Sequence, residues 1–293
     1  MTIPEIVLYG YEQSPYFLKV LSVLNLFGLP HKVCNQPMML PRPDFLSLDI
    51  TYRRIPLLSI GNSLYCDSSL IIQKLCELTQ NEYHKEWEFI GKELFQFGSA
   101  LLNPQSLPDD FLKDRSDLLG RPLNREAMLK NRPFALTYFT AHLDTIETQF
   151  LKEKKFVLGN LSIADIHVGF ALINYLKLAH PISPQTHPKV YEWVGELQKL
   201  TTITNRVSFA EAKQIITSHP CEFDKEPSTP DNHYLGLNKG DLVSVLPNDT
   251  GKNHPQKGQL VFIKHNEACV LTAGGVFVHF PLLGYYICKL NKL

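Results

Sequence analysis

The segment Arg53-Arg54-Ile55-Pro56-Leu57-Leu58, followed by Tyr65-Cys66-Asp67-Ser68-Ser69-Leu70-Ile71-Ile72, constrains what this chain can fold into more than any other stretch. A branched residue before proline, at the head of a short apolar run, is a place where a cis peptide can be built in. For X-Pro bonds the cis form costs only ~0.5–1 kcal/mol. At Ile55-Pro56 it would turn the N–H and C=O of Ile55 out of the sheet, where another extended peptide could pair with them. The acidic-Ser pair Asp67-Ser68 then opens a helix, since Leu70, Ile71, Leu75 and Leu78 share one face. Free N–H groups at a helix N-terminus, beside a serine hydroxyl, suit a carboxylate. The two segments together describe a peptide-pairing edge next to a site for a carboxylate and an amine.

The start of the chain fits the same plan. Residues 3–9 are a β-rich run, residues 10–14 read as a turn, and Pro15 suits the first turn of a helix. Leu18, Leu21, Val23, Leu24 and Leu26 give a mostly apolar helix ending at Gly28. The order strand, Ser-Pro-Tyr, helix, loop, Ile-Pro strand, strand, Asp-Ser helix resembles the thioredoxin-like domain of the glutathione S-transferases. Glutaredoxins and omega-type transferases carry Cys-Pro-Phe/Tyr where this chain has Ser14-Pro15-Tyr16. The resemblance implies that Ser14 faces the glutathione sulfur. It also implies that Ile55 and Pro56 form the peptide-pairing edge and that Asp67 and Ser68 grip the γ-glutamyl end. The family more often has Glu-Ser at that pair, and Asp is one methylene shorter. Arg42, Arg53 and Arg54 are candidates for neutralising the glycyl carboxylate, with surface solvation the equal alternative for each. Cys66, beside Asp67, has a redox role as its less favoured reading.

The chemistry at position 14 is simple. A free thiol has a pKa near ~8.5, and its thiolate is the nucleophile. A hydroxyl donating to the sulfur, beside the positive end of a helix dipole, lowers that value at ~1.4 kcal/mol per pH unit. Serine cannot form a mixed disulfide, so Ser14 argues against thiol exchange and for conjugation, isomerisation or peroxide reduction. The plainer reading is that Ser14 only caps the helix.

A second match lies downstream. Phe156-Val157-Leu158-Gly159-Asn160-Leu161-Ser162-Ile163-Ala164-Asp165-Ile166-His167 resembles the entry to the buried sixth helix of the transferase helical domain. Ser162 and Asp165 form a capping box there, with Leu161 stapled onto Ile166, so Asp165 is structural and not a general base. His187-Pro188-Lys189-Val190-Tyr191-Glu192-Trp193-Val194 resembles the helix that follows. Between the two motif regions, residues 86–102 and 125–151 read as long helices separated by a loop over residues 103–124. In the family these helices wall the electrophile pocket and build much of the dimer contact. Phe95, Phe97, Leu101, Phe134, Tyr138 and Phe139 give them an aromatic bias, as pocket wall or, more often, as helix–helix core.

Composition excludes several alternatives. The 29 basic and 29 acidic residues cancel without forming blocks, so nothing marks a nucleic-acid or acidic-lipid surface. No apolar stretch approaches the ~20 residues a membrane span needs, and no basic-then-apolar leader opens the chain. The six cysteines lack CxxC spacing and read as reduced thiols of a cytoplasmic protein, and the eleven histidines support no metal site.

The tail departs from the family pattern. Residues 219–232 are polar and Pro-rich, a linker. Residues 242–246, 259–264, 268–273, 276–280 and 285–290 are then short β-rich runs between turn residues, suggesting a small SH3-like barrel. Some fungal transferase-like proteins carry a β-rich extension that this tail resembles. His279, on an alternating strand, reads as packed or solvent-facing.

The expected fold is therefore an α/β thioredoxin-like domain (residues 1–80), an all-α domain (84–218), a linker (219–233) and a small all-β barrel (234–293). The expected function is a homodimeric glutathione transferase-like enzyme that conjugates or isomerises an apolar electrophile. The alternatives are a non-catalytic scaffold that docks partners through its β domain, and a glutathione-dependent peroxidase or reductase.

Overall fold

The computed structural model describes residues 4–218, 234–264 and 266–290. The expected linker, and Cys221 within it, lie outside the described residues. The first unit is β1 (Ile6–Gly10), α1 (Pro15–Leu26), β2 (Lys32–Asn35), α2 (Pro43–Leu46), β3 (Leu57–Ile60), β4 (Ser63–Cys66) and α3 (Ser68–Thr79). β1 runs parallel to β2, and β3 and β4 continue antiparallel, giving the order β2-β1-β3-β4. The period-two alternation of strands divides the molecule into two cores. Ile6, Leu8 and Leu58 face α1, α3 and the helical domain, whereas Val7, Tyr9, Leu57, Leu64 and Cys66 face the other way.

The helical domain comprises α4 (Glu88–Ser99), α5 (Asp109–Leu119), α6 (Arg125–Thr145), α7 (Ile163–Gly169), α8 (Leu172–Tyr175), α9 (Pro188–Lys199) and α10 (Phe209–Ser218). Two expectations change here. The stretch expected to be a loop between the long helices contains α5, which follows Pro108, carries Asp109 and Asp110 in its first turn and stops at left-handed Gly120. Those are ordinary helix start and stop signals that the proline content of the segment masked. The buried sixth helix that the resemblance implies is instead α7, α8 and a short 3₁₀ turn (Leu176–Leu178). The capping box forms: Asp165 Oδ2 accepts from the Ser162 N–H at 2.9 Å. Fully buried Asp165 also accepts from Val157 N at 2.8 Å and Trp193 Nε1 at 2.9 Å through Oδ1, a structural hub with no free lone pair aimed at a cleft.

The tail forms β5 (Leu242–Pro247), β6 (Gln256–Lys264), β7 (Glu267–Leu271), β8 (Phe277–Pro281) and β9 (Tyr285–Lys289). All five expected strands are present. Their assembly differs from a closed, separate SH3-like barrel: the sheet is open, in the order β8-β7-β6-β5-β9. It joins the first unit directly, because β8 pairs parallel with β4, Tyr65 opposite His279. The physical reason lies in α2, which spans only four residues and cannot cover the second face of the first sheet. That face is covered instead by α10 and the C-terminal strands, through Ala212, Ile216, Val243, Val245, Val278 and Phe280.

Candidate functional site

Ser14 is the N-cap of α1, where its side chain accepts from Phe17 N at 3.3 Å. Its own O–H has no acceptor among the described residues and is free to donate. Gly10, at the end of β1, lets the segments meet: a Cβ there would come within 2.6 Å of Ile55 Cγ2 and 2.5 Å of the Phe17 ring. The Ile55-Pro56 peptide is cis. The Ile55 N–H and C=O take part in no hydrogen bond among the described residues. Asp67, with φ of 70°, is the N-cap of α3 and accepts from Ser69 N at 2.9 Å, so Ser68 is the first helical residue and not the cap. The Ser68 N–H and hydroxyl are likewise without a partner among the described residues. This row of open donors and acceptors lies on three segments that meet at one place, so a single ligand could pair with all of them.

Tyr16 lies beside this row, its ring 4.7 Å from Phe95 and 4.9 Å from Phe170. Burial, reinforced by the charges of Asp67 and Glu88, pushes its phenol up, so it stays a donor. Behind the site sits a charge cluster that gave no signal in the sequence. Lys19, fully buried in α1, reaches Glu88 Oε1 at 3.1 Å, and Ser69 Oγ donates to both Glu88 oxygens at 3.0 Å. Burial pushes the Cys66 thiol well up, and it is completely enclosed, which removes the redox reading of that residue.

The three arginines are all engaged within the protein. Arg42 and Arg53 are buried, contrary to surface solvation. Arg42 donates to Pro37 O at 2.9 Å and to Arg53 O. Arg53 pairs with Asp114 at 3.0 Å and with Asp117, both on α5. Arg54 donates to Thr250 O at 2.6 Å and pairs with Asp249, both on the loop after β5, and stands 4.0 Å from Asp67 Oδ2. That loop docks on α5 as well, with Gly251 N donating to Leu118 O at 2.6 Å. The Arg53-Arg54 pair therefore ties the first unit to both of the others.

Two cavities, of about 530 and 550 Å³, lie elsewhere, one at the end of α1 and one between α3 and Asn266; neither is lined by Ser14, Ile55, Asp67 or Ser68. Among the described residues no group of three or more His, Cys, Asp or Glu could hold a metal ion. No helix there is long and apolar enough to cross a membrane. Among the described residues, the cysteines at 34, 66, 76, 269 and 288 form no disulfide.

A thioredoxin-like domain with an open Ile-Pro edge, an acidic-Ser helix start and a following helical domain is the plan of a glutathione S-transferase-like protein. Residues 8–82 match the model of the glutathione S-transferase N-terminal domain, and residues 99–206 match a domain of unknown function (DUF7962). No curated protein matches the sequence. A GST-like protein from Pseudomonas syringae is similar in structure, with a TM-score of 0.69 and 23% identity. That match covers 98% of this chain and 100% of the other, so the shared fold runs through the C-terminal strands. Glutaredoxin 2 from Salmonella typhimurium, solved in complex with glutathione, is similar with a TM-score of 0.52 and 17% identity, covering 73% of this chain and 98% of its own.

Proposed function

We propose that the protein binds glutathione and uses its thiolate to conjugate or isomerise an apolar electrophile. The observation that carries this reading is the row of open groups formed by the Ser14 O–H, the Ile55 N–H and C=O, and the Ser68 N–H and hydroxyl. They match, in kind and in chain order, a thiol, a cysteinyl backbone and a γ-glutamyl carboxylate. Asp67 would receive the γ-glutamyl ammonium. Ser14, at the N-terminus of α1, would donate to the sulfur while the helix dipole adds positive potential, and both favour thiolate over thiol. Tyr16 and Phe95, both half-buried and packed with the buried ring of Phe170, would meet a flat apolar substrate.

The reading extends to a cytoplasmic homodimer. Phe89, Phe134 and Tyr138 stand exposed on α4 and α6, the pair of helices that the family resemblance assigns to dimer contact. The kinship with β-tailed fungal transferase-like proteins belongs to the same proposal. The second reading, a scaffold docking partners through its β strands, is favoured by one observation: Arg54 and Asp67 are already contacted by the C-terminal strands.

Calorimetric titration of glutathione into wild type and Ser68→Ala, with thiolate absorbance of the complex against pH, tests the enzyme reading. Millimolar or tighter binding that weakens about tenfold in Ser68→Ala is expected, with a bound-thiol pKa below the free value. Ser14→Ala should raise that pKa by about one pH unit, the ~1.4 kcal/mol of one hydrogen bond to an anion, without abolishing binding. No binding by wild type at millimolar glutathione would refute it in favour of the scaffold.

A further inference from the structure

We propose that the C-terminal strands are part of the glutathione site, with Tyr285 and Asp249 holding Asp67 in the orientation and charge balance that receive the γ-glutamyl ammonium. This rests on the glutathione reading above.

Tyr285, at the start of β9, places its hydroxyl 3.2 Å from Asp67 Oδ2 and 2.6 Å from the Tyr52 hydroxyl. A carboxylate only accepts, so Tyr285 donates to Asp67 and Tyr52 donates to Tyr285. The Tyr285 ring is buried against Tyr52 and Phe280, which fixes the position of its hydroxyl. Asp67 has φ in the left-handed region, a conformation that a non-glycine residue keeps only when its surroundings hold it. Its two oxygens are each anchored once, Oδ1 by Ser69 N and Oδ2 by Tyr285, so the remaining lone pairs point at a defined place. The carboxylate here is one methylene shorter than the glutamate usual in the resembled family, which makes a rigid setting more important.

Charge is arranged by the same strands. Arg54 is the cation next to Asp67, and alone it would neutralise that carboxylate. It is instead drawn to Asp249, while Thr250 O takes two of its N–H groups at 2.6 and 3.1 Å. Two carboxylates share one guanidinium, leaving one negative charge that a ligand ammonium can balance.

The test compares glutathione with its des-amino analogue, glutaryl-cysteinyl-glycine, by calorimetry on full-length wild type, Tyr285→Phe and Asp249→Asn. Wild type should prefer glutathione. Both variants should bind glutathione about tenfold more weakly while holding the analogue within about twofold, so the preference collapses. Asp249 lies on an exposed loop, so its variant reports even if Tyr285→Phe fails to fold. Variants that keep the wild-type preference, or that lose both ligands equally, would overturn the proposal while leaving glutathione binding intact as a reading. Wild type that binds neither ligand would overturn the glutathione reading itself and this proposal with it.

Discussion

Replacing Lys19 by methionine separates the energetics of the buried charge cluster from the chemistry of the site. The Lys19 ammonium is fully enclosed, 3.1 Å from Glu88 Oε1 and 5.1 Å from the centre of the Phe170 ring. His167 stands 3.7 Å from the same oxygen, but burial, with the Lys19 charge adding to it, pushes its imidazole down to about 3, so it is neutral at pH 7. Burial alone would raise the Glu88 carboxyl; the Lys19 ammonium first, with the Lys92 ammonium 3.8 Å away adding to it, overcomes that and holds it at about 2 instead of 4.5. Burial also pushes the Lys19 ammonium down, so the pair's net worth is less than the Glu88 difference alone implies. Stripping one partner from a buried pair still costs ~3–5 kcal/mol, because the other charge is left uncompensated.

The sign follows from the depressed value. Glu88's contribution is fully present above pH 4.5 and is lost as pH falls from 4.5 towards 2. Lys19→Met should cost ~3 kcal/mol at pH 7. With Lys19 gone burial raises the Glu88 carboxyl, so the deficit should begin to shrink above pH 4.5, by up to ~1.4 kcal/mol per pH unit, and go on shrinking towards pH 2. Urea unfolding at pH 7 and pH 3, followed by tryptophan fluorescence, measures both. A deficit below ~1 kcal/mol at pH 7, or one that does not change with pH, would refute the reasoning.

Arg53→Met should release α5 by leaving Asp114 and Asp117 without their shared cation, costing ~3 kcal/mol and speeding amide exchange over residues 109–119; unchanged exchange would show that α5 is held by its apolar face alone. Asp165→Asn should cost ~2 kcal/mol and change Trp193 fluorescence, because an amide cannot accept from Val157 N, Ser162 N and Trp193 Nε1 together. In the same variant the pKa of bound glutathione should stay where it is in wild type; a shift would make Asp165 more than structural.

Legibility varied with the range of the interaction. Ser14, Asp67, Ser162 and Pro188 announced their helices because caps and first turns are satisfied within a few residues. The five tail strands were readable from alternation and turn residues for the same reason. Helix α5 was missed because prolines on its flank outweighed the acidic first turn and the terminal glycine. Nothing around Lys19 in the chain marks it as buried, since it sits among the apolar residues of one helix. Only its partner Glu88, sixty-nine positions away, makes it buried and paired.

By itself the sequence determined the starts of α1 and α3, the Ser162–Asp165 capping box and the strand-rich character of the tail, all of them set by neighbours along the chain. What only the tertiary structure decided is where that tail goes and what it touches. A four-residue α2 leaves a sheet face that must be covered, and the C-terminal strands cover it by pairing β8 with β4. Tyr285 and Asp249 then meet Asp67 and Arg54 across separations of 218 and 195 residues. No local pattern encodes such a meeting, because its energy comes from burial and charge pairing that exist only once the chain has closed on itself.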